Sequence, residues 1–328
     1  MKPTISIIIP TYNRAELLKE TLDSVLQQAY EQWECIIVDD GSSDNTRQVV
    51  ENYNKKDTRF KYYERPSNLI KGANACRNHG FKQSKGSLIK WFDSDDIMKP
   101  EFLLKQVNYL IKHPELDCCV AYGETFKDSL DNTVINKPKS LSNKNALYHF
   151  LKDDLYFITH GPLWRRTFLD KQDLYDETLA KFQDGDFHLR MILKQMNFHF
   201  LDESLFYIRT GNTDRISTTT TISLLNSMFI FEFSKYKCIT NLKAEHQKEI
   251  HYFLTKKISL ILYRILIFES TIVSRYEFWK EYKSQIYSLF RSKFSSNLFK
   301  AKLLLAIYVT ILTRKGLVLF KTVFIEKA

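Results

Sequence analysis

A chain of 328 residues, 44% hydrophobic and 26% charged, is long enough for one large domain or two ordinary ones, and its 9 Gly and 7 Pro exclude a disordered or collagen-like polymer. The formal charge of +10 is uneven: 18 Lys/Arg against 6 Glu and no Asp fall between Lys235 and Ala328, leaving the first 234 residues at −2 against +12 for the rest. Such basicity bears on where the chain sits rather than on its chemistry, and no nucleic-acid motif accompanies it, so nucleic acid is not an expected partner.

The chain opens on Ile5–Ile9, a β-branched run fit for a strand buried on both faces, which Pro10 ends too early for a signal-peptide core. A helical stripe of Leu18, Leu22, Val25, Leu26 and Ala29 follows. Trp33–Val38 is a second apolar strand ending in Asp39-Asp40-Gly41-Ser42-Ser43-Asp44, where Asp44 is placed to N-cap a helix burying Val49, Val50 and Tyr53. Phe60–Tyr63 is a short third strand, and a helix from about Ala73 to Lys82 leads to Gly86. The apolar run Leu88–Phe92 then ends in three carboxylates, Asp93, Asp95 and Asp96. Pro100 opens a further helix through Leu103, Val107, Leu110 and Ile111, before a strand over Asp117–Tyr122.

Strands alternating with amphipathic helices predict a mostly parallel, Rossmann-like α/β sheet flanked by helices, in which ligands bind beyond the carboxyl ends of the strands. Three polar clusters fall at that edge: Pro10–Arg14, Asp39–Asp44 and Asp93–Asp96. No G-x-G-x-x-G follows the first strand and no Walker A is present, so phosphates are not held on a glycine-rich loop. Crowded carboxylates repel unless a cation relieves them, and Mg²⁺ or Mn²⁺ typically takes one or two carboxylates plus substrate phosphate oxygens. Five cysteines (Cys35, Cys76, Cys118, Cys119, Cys238), odd in number and without a C-x-x-C pair, fit reduced core thiols in a cytoplasmic protein.

Together, Ser6-Ile7-Ile8-Ile9-Pro10-Thr11-Tyr12-Asn13-Arg14, Val38-Asp39-Asp40-Gly41-Ser42-Ser43-Asp44-Asn45-Thr46 and Phe92-Asp93-Ser94-Asp95-Asp96 resemble the family 2 glycosyltransferases of GT-A fold, closely over residues 4–125 and loosely to about 215. The resemblance implies that Pro10, Thr11, Tyr12, Asn13 and Arg14 help hold a nucleotide-diphosphate sugar, a UDP-sugar being favoured. Tyr12 would stack on the base and Asp40 accept from a ring N–H. Asp39 would brace the turn. Arg77 would lie near the nucleotide, a surface helix arginine being the alternative. Asp93, Ser94 and Asp95 would form the D-x-D element, with Asp95 as direct metal ligand, Asp93 near ribose and metal, and Asp96 left to cap the next segment.

Residues 123–145 are polar with little periodicity and predict loops. In Thr159-His160-Gly161-Pro162-Leu163-Trp164, the resemblance points to His160 and Trp164 as acceptor contacts, against ordinary packing roles for both. Gln183-Asp184-Gly185-Asp186, followed by Arg190, is similar to the family's E-D-x-x-x-x-x-R element with Gln183 in place of Glu. It implies Asp184 as general base, with Asp186 an alternative or an acceptor contact. Where relatives often carry Arg-x-His, Thr210 follows Arg209, so an imidazole metal ligand is in doubt there; Arg209 and Arg215 remain to neutralise a diphosphate.

From Ser223 the pattern is helical, aromatic and basic. Its apolar runs Ile258–Phe268 and Leu303–Leu312 are too short to span a bilayer and suit either a core or a surface lying on anionic lipid. The expected organisation is a GT-A domain over 1–222 (nucleotide half 1–125, acceptor half 126–222) and a helical, basic, membrane-apposed region over 223–328. The expected reaction is inverting, Mn²⁺- or Mg²⁺-assisted transfer to a saccharide or lipid-linked acceptor for surface polysaccharide, at the cytoplasmic face of the membrane. A nucleotidyltransferase and a non-catalytic scaffold are the alternatives, and a homo-oligomer is left open.

Overall fold

The computed structural model describes residues 4–179, 181–211 and 221–322. It divides into two compact units, one built from the described residues of Met1–Ala146 and Asp154–Arg215, the other from those of Leu147–Asp153 and Ile216–Ala328.

The first unit runs β1 (Ile5–Thr11), α1 (Ala15–Leu26), β2 (Trp33–Asp39), α2 (Thr46–Lys56), β3 (Phe60–Glu64), α3 (Ala73–Gln83), β4 (Leu88–Trp91), β5 (Ile97–Met98), α4 (Phe102–Lys112), β6 (Cys118–Phe126) and β7 (Thr133–Ile135). After α5 (Ala146–Leu151) come β8 (Pro162–Arg165), α6 (Arg166–Leu169), α7 (Gln183–Leu193) and β9 (Phe198–Arg209). One sheet orders the strands β3-β2-β1-β4-β8-β6-β9-β5, with β7 beside β6. The first four are parallel, β9 is parallel to β6, and β8 and β5 run antiparallel to their neighbours. Every residue of β1, β2 and β4 is buried, the polar Ser6, Glu34, Asp39 and Lys90 included, as strands covered on both faces require.

One sheet face packs Ile5, Ile7 and Ile9 against α1, α2 and α4, while Ile36 and Val38 pack on the other against Cys76 of α3. Gly80 lets α3 lie close on β1, because a Cβ there would stand 2.4 Å from Ile8 Cγ2. Thr11 pairs with Asp39, and the Phe92 N–H donates to Ile8 O at 3.0 Å, so the three polar clusters share one sheet edge.

Three local expectations are corrected. Asn45, not Asp44, is the N-cap of α2; the Asp44 carboxylate instead accepts from Ala15 N–H at 3.0 Å and Thr46 N–H at 3.0 Å, tying the starts of α1 and α2 together. Pro100 precedes the cap of α4, which is Glu101. Residues 123–145 are not loop throughout, since β6 continues to Phe126 and pairs with β7 in a hairpin.

The second unit contains α8 (Ile222–Lys237), a 3₁₀ turn (Cys238–Asn241), α9 (Ala244–Phe268), α10 (Ile272–Phe290), α11 (Asn297–Thr313) and α12 (Leu317–Thr322), with most of α5. Its core gathers Phe229, Phe233, Ile258, Leu262, Phe278, Trp279, Ile286, Leu303 and Ile307. One face of each long apolar run is thus core-facing. Arg275 is buried and donates to Ile311 O at 2.7 Å and Glu269 O at 2.9 Å, satisfying carbonyls at the ends of two helices. No helix among the described residues is long and apolar enough to cross a membrane.

Candidate active site

The tips of β1 and β2 are zipped together by their own polar groups. Asp40 N–H donates to Thr11 O at 2.9 Å, Asn13 N–H to Ser42 Oγ at 2.8 Å, and Ser43 N–H to Asn13 Oδ1 at 2.8 Å. Asn13 adopts φ of +49°, and Gly41, at φ +88°, makes the turn that other residues rarely tolerate. Asp39 braces this turn, accepting from Ser42 N–H at 2.9 Å and Tyr62 O–H at 2.7 Å. Pro10 and Thr11 are buried in the strand, Arg14 is half-buried at the start of α1, and Tyr12 projects with 44% of its surface exposed. Lys71 Nζ lies 4.0 Å from the centre of that ring, a cation–π contact. Asp40 is buried and ion-paired to Arg65, whose guanidinium also donates to Pro66 O at 2.9 Å and Leu69 O at 2.6 Å.

The end of β4 carries the acidic stretch. Arg77 is almost fully buried on α3 and donates to Asp93 Oδ1 at 2.7 Å, which overturns the surface-helix alternative. Burial acts to lower its pKa, but Asp93, Tyr175 and Asp184 push it higher still, so it is a permanent cation. Ligand-competent atoms of Asp93, Asp96 and His160 lie within 4.8 Å of one another. His160 Nε2 stands 2.8 Å from Asp96 Oδ2 and 3.5 Å from Asp93 Oδ2. Its ring is packed against Phe92 and Phe206 at centroid distances of 4.9 and 5.5 Å. Burial alone would lower the imidazole pKa, but the Asp93 and Asp96 carboxylates outweigh it and the net shift is upward.

The structure groups the acidic stretch in its own way. The carboxylates that meet with an imidazole are Asp93 and Asp96; Asp95, expected as the direct ligand, is not one of the three, and Ser94 beside it is buried. Nor does Asp96 cap the following segment: its Oδ1 accepts from Arg209 N–H at 2.8 Å, fixing β9 beside the site, while Arg209 Nε donates to Asp95 O at 3.2 Å. His160, read from the sequence as an acceptor contact or a packing residue, is buried within the acidic cluster. Arg215 lies outside the described residues.

Asp184 stands in the first turn of α7 and is half-buried, after Phe182 at φ +61°. Thr159 Oγ1 donates to its carboxylate. Adjacent residues therefore hold the two halves of the site: Thr159 holds Asp184, and His160 holds Asp96. The Asp184 charge is close enough to act on Arg77, His160 and Tyr175. Asp186 is engaged elsewhere, ion-paired to Arg190 Nε at 2.9 Å. Arg190 also donates to Leu174 O at 2.6 Å, bracing the preceding loop. Trp164 is corrected as an acceptor contact, because no part of it is exposed: it stacks with Phe168 and His188 and packs edge-on to Phe187 in the core, out of reach of a sugar face.

Sequence reasoning missed Arg65, Lys71 and Thr159. Arg65 and Lys71 lie on a connection with no motif, Thr159 opens a segment in which only His160 and Trp164 stood out, and only the fold sets the three beside Asp40, Tyr12 and Asp184.

An α/β sheet of this topology flanked by helices is the GT-A architecture. The model of glycosyl transferase family 2 matches residues 6–179, more than half of the chain, and the protein belongs to that family. An uncharacterised glycosyltransferase of Rickettsia typhi is 30% identical over 254 residues, covering 75% of this chain and 77% of its own length. TuaG of Bacillus subtilis, whose name assigns it to teichuronic acid biosynthesis, is 35% identical over 152 residues, covering 44% of this chain and 58% of its own. Among solved structures, S. aureus TarS 1–349 in complex with UDP-GlcNAc matches 98% of this chain and 90% of its own with a TM-score of 0.64 at 20% identity. The Pyrobaculum calidifontis mannosyltransferase PcManGT, with GDP-Man and Mn²⁺, matches 96% of this chain and 88% of its own with a TM-score of 0.56 at 15% identity. These two likenesses are of fold.

Proposed function

We propose that the chain transfers a sugar from a nucleoside diphosphate sugar, with inversion, to a hydroxyl of a saccharide or lipid-linked acceptor in surface-polysaccharide synthesis. The observation that carries this is the Thr159-His160 pair, which sets a hydroxyl-held carboxylate next to a cation-competent cluster.

The residues divide the work. The exposed Tyr12 face suits stacking on a base, and Asp40, with Oδ1 taken by Arg65, offers its other oxygen to a ring N–H. That the TarS structure holds UDP-GlcNAc supports a uridine donor. Asp93, Asp96 and His160 would hold a divalent cation. Two oxygens and an imidazole fit Mn²⁺ better than Mg²⁺, which prefers oxygen alone, and Mn²⁺ accompanies GDP-Man in PcManGT. When bound, such a cation neutralises charge on a diphosphate leaving group. Arg77 holds Asp93 in place from behind, and Arg209 fixes Asp95 and Asp96. Asp184, steadied by Thr159, takes the proton from the acceptor hydroxyl as its oxygen attacks the anomeric carbon opposite the departing diphosphate. The TuaG relationship supports an acidic cell-wall glycan as the product class.

The second unit is a helical, basic region suited to the cytoplasmic face of an anionic membrane. Val273 and Tyr276 on α10 and Leu305, Tyr308 and Leu312 on α11 are exposed on a +12 stretch of chain.

The test is a thermal-shift screen of UDP-, GDP- and dTDP-sugars with and without Mn²⁺, followed by assay of nucleoside diphosphate release. A stabilisation that needs both nucleotide and metal supports the reading, and no shift with any donor refutes it.

A further inference from the structure

The second unit contains a cavity of about 790 Å³ between the end of α8, the start of α9 and the last turns of α10. Its chemistry is one-sided. Lys237, Arg291 and Lys293 line it, and no acidic residue does. None of these three cations forms an ion pair among the described residues, while two rest on aromatic faces: Lys237 Nζ is 5.3 Å from the Phe233 ring centre and Lys293 Nζ 5.1 Å from that of Phe294. Cations close helix carboxyl ends favourably, which accounts for Lys237 in the last turn of α8 and Arg291 at the C-cap of α10. It does not account for Lys293, nor for the remaining walls.

Those walls are rich in hydroxyls. Ser284, Ser288 and Ser292 recur at four-residue spacing, on one face where the helix runs. Ser284 donates to Gln285 Oε1 at 2.8 Å and Ser288 to Gln285 O at 2.6 Å, so their oxygens keep lone pairs for incoming O–H donors. The Tyr236 ring supplies an apolar face, and its hydroxyl meets His251 Nδ1 at 3.1 Å. His251 Nε2 in turn meets Ser295 Oγ at 3.1 Å, and Ser295 donates to Leu289 O at 2.7 Å. This chain of contacts fixes the wall before any ligand arrives.

We propose that this cavity binds an anionic saccharide or polyol chain, with Lys237, Arg291 and Lys293 donating to its uronate or phosphate groups and the serines accepting from its hydroxyls. The choice of a glycan as the ligand rests on the glycosyltransferase reading. A flat lipid surface fits less well, because the basic groups surround a concavity walled by aromatic rings and hydroxyls.

The test uses the full chain and isothermal titration with four probes: a galacturonate tetramer, a glycerol-phosphate tetramer, neutral maltotetraose and phosphatidylglycerol vesicles. Wild type is expected to bind at least one anionic tetramer at least about tenfold more tightly than maltotetraose, with binding that weakens as salt rises. The tetramer that binds identifies uronate or phosphate as the anion. The exposed Arg291→Ala/Lys293→Ala pair is expected to weaken that binding at least about tenfold while leaving the thermal shift with UDP and Mn²⁺ unchanged. Equal binding of maltotetraose, undiminished binding by the double variant, or binding to vesicles alone would each overturn the proposal. Loss of the UDP shift in wild type would instead count against the glycosyltransferase reading, whatever the tetramers do.

Discussion

Replacing Asp184 with Asn separates chemistry from architecture at this site. The amide keeps an oxygen at the position that accepts from Thr159 Oγ1, and the backbone carbonyl that His188 Nδ1 meets at 2.7 Å is untouched. The loss of stability is therefore about 1 kcal/mol or less, the net worth of one altered hydrogen bond. The base function is lost outright. A positioned general base contributes roughly 10²- to 10⁴-fold, so turnover should fall by that factor, about 3–5 kcal/mol in barrier height. Donor binding lies on other residues and should persist. The assay pairs nucleoside diphosphate release with the UDP-dependent thermal shift on the same preparation. Turnover within about threefold of wild type would refute Asp184 as the base. A lost UDP shift alongside lost turnover would mean that its role is structural.

Tyr12→Ala should weaken donor binding by about tenfold, the scale of one aromatic stack, with little change in melting temperature because the ring is 44% exposed; competition titration with UDP reads this directly. Gly80→Val should destabilise by about 1–3 kcal/mol, since the new side chain meets Ile8 Cγ2 and forces α3 off the sheet, and urea denaturation measures the loss. His188 is buried between Phe157 and Trp164, and burial is the main reason its pKa is lowered to about 4. Above pH 6.5 the ring is neutral in both folded and unfolded chains. As pH falls from 6.5 towards 4 only the unfolded chain gains the proton, so stability drains away by up to about 3 kcal/mol. His188→Phe should flatten that part of the melting-temperature profile, and an unchanged slope would contradict the assignment.

What the sequence made readable was the edge of the parallel sheet. Long β-branched or apolar runs such as Ile5–Ile9 and Trp33–Val38 can be only buried strands, and the polar residues that follow them must crowd at one end. The short β5 and β8 carry no period, and they enter the sheet antiparallel only because distant partners accept them. The same limit hid Asp96. Nothing local distinguishes it from a capping residue; its meaning lies in Arg209, 113 positions away, and in His160. Trp164 misled in the opposite direction, since a Trp beside a motif reads as a sugar platform until β8 is seen to bury it. In the basic tail, charge and helical period were plain, but whether an apolar run faced its own core was a matter of packing.

The most direct test is titration of Mn²⁺ in the presence of UDP, followed by electron paramagnetic resonance, on wild type and on Asp95→Asn, Asp96→Asn and His160→Gln, each checked for an intact melting transition. Asp96→Asn and His160→Gln should each weaken Mn²⁺ binding at least about tenfold, whereas Asp95→Asn should change it far less. Loss of binding in Asp95→Asn, with Asp96→Asn and His160→Gln near wild type, would contradict a cation held by Asp93, Asp96 and His160.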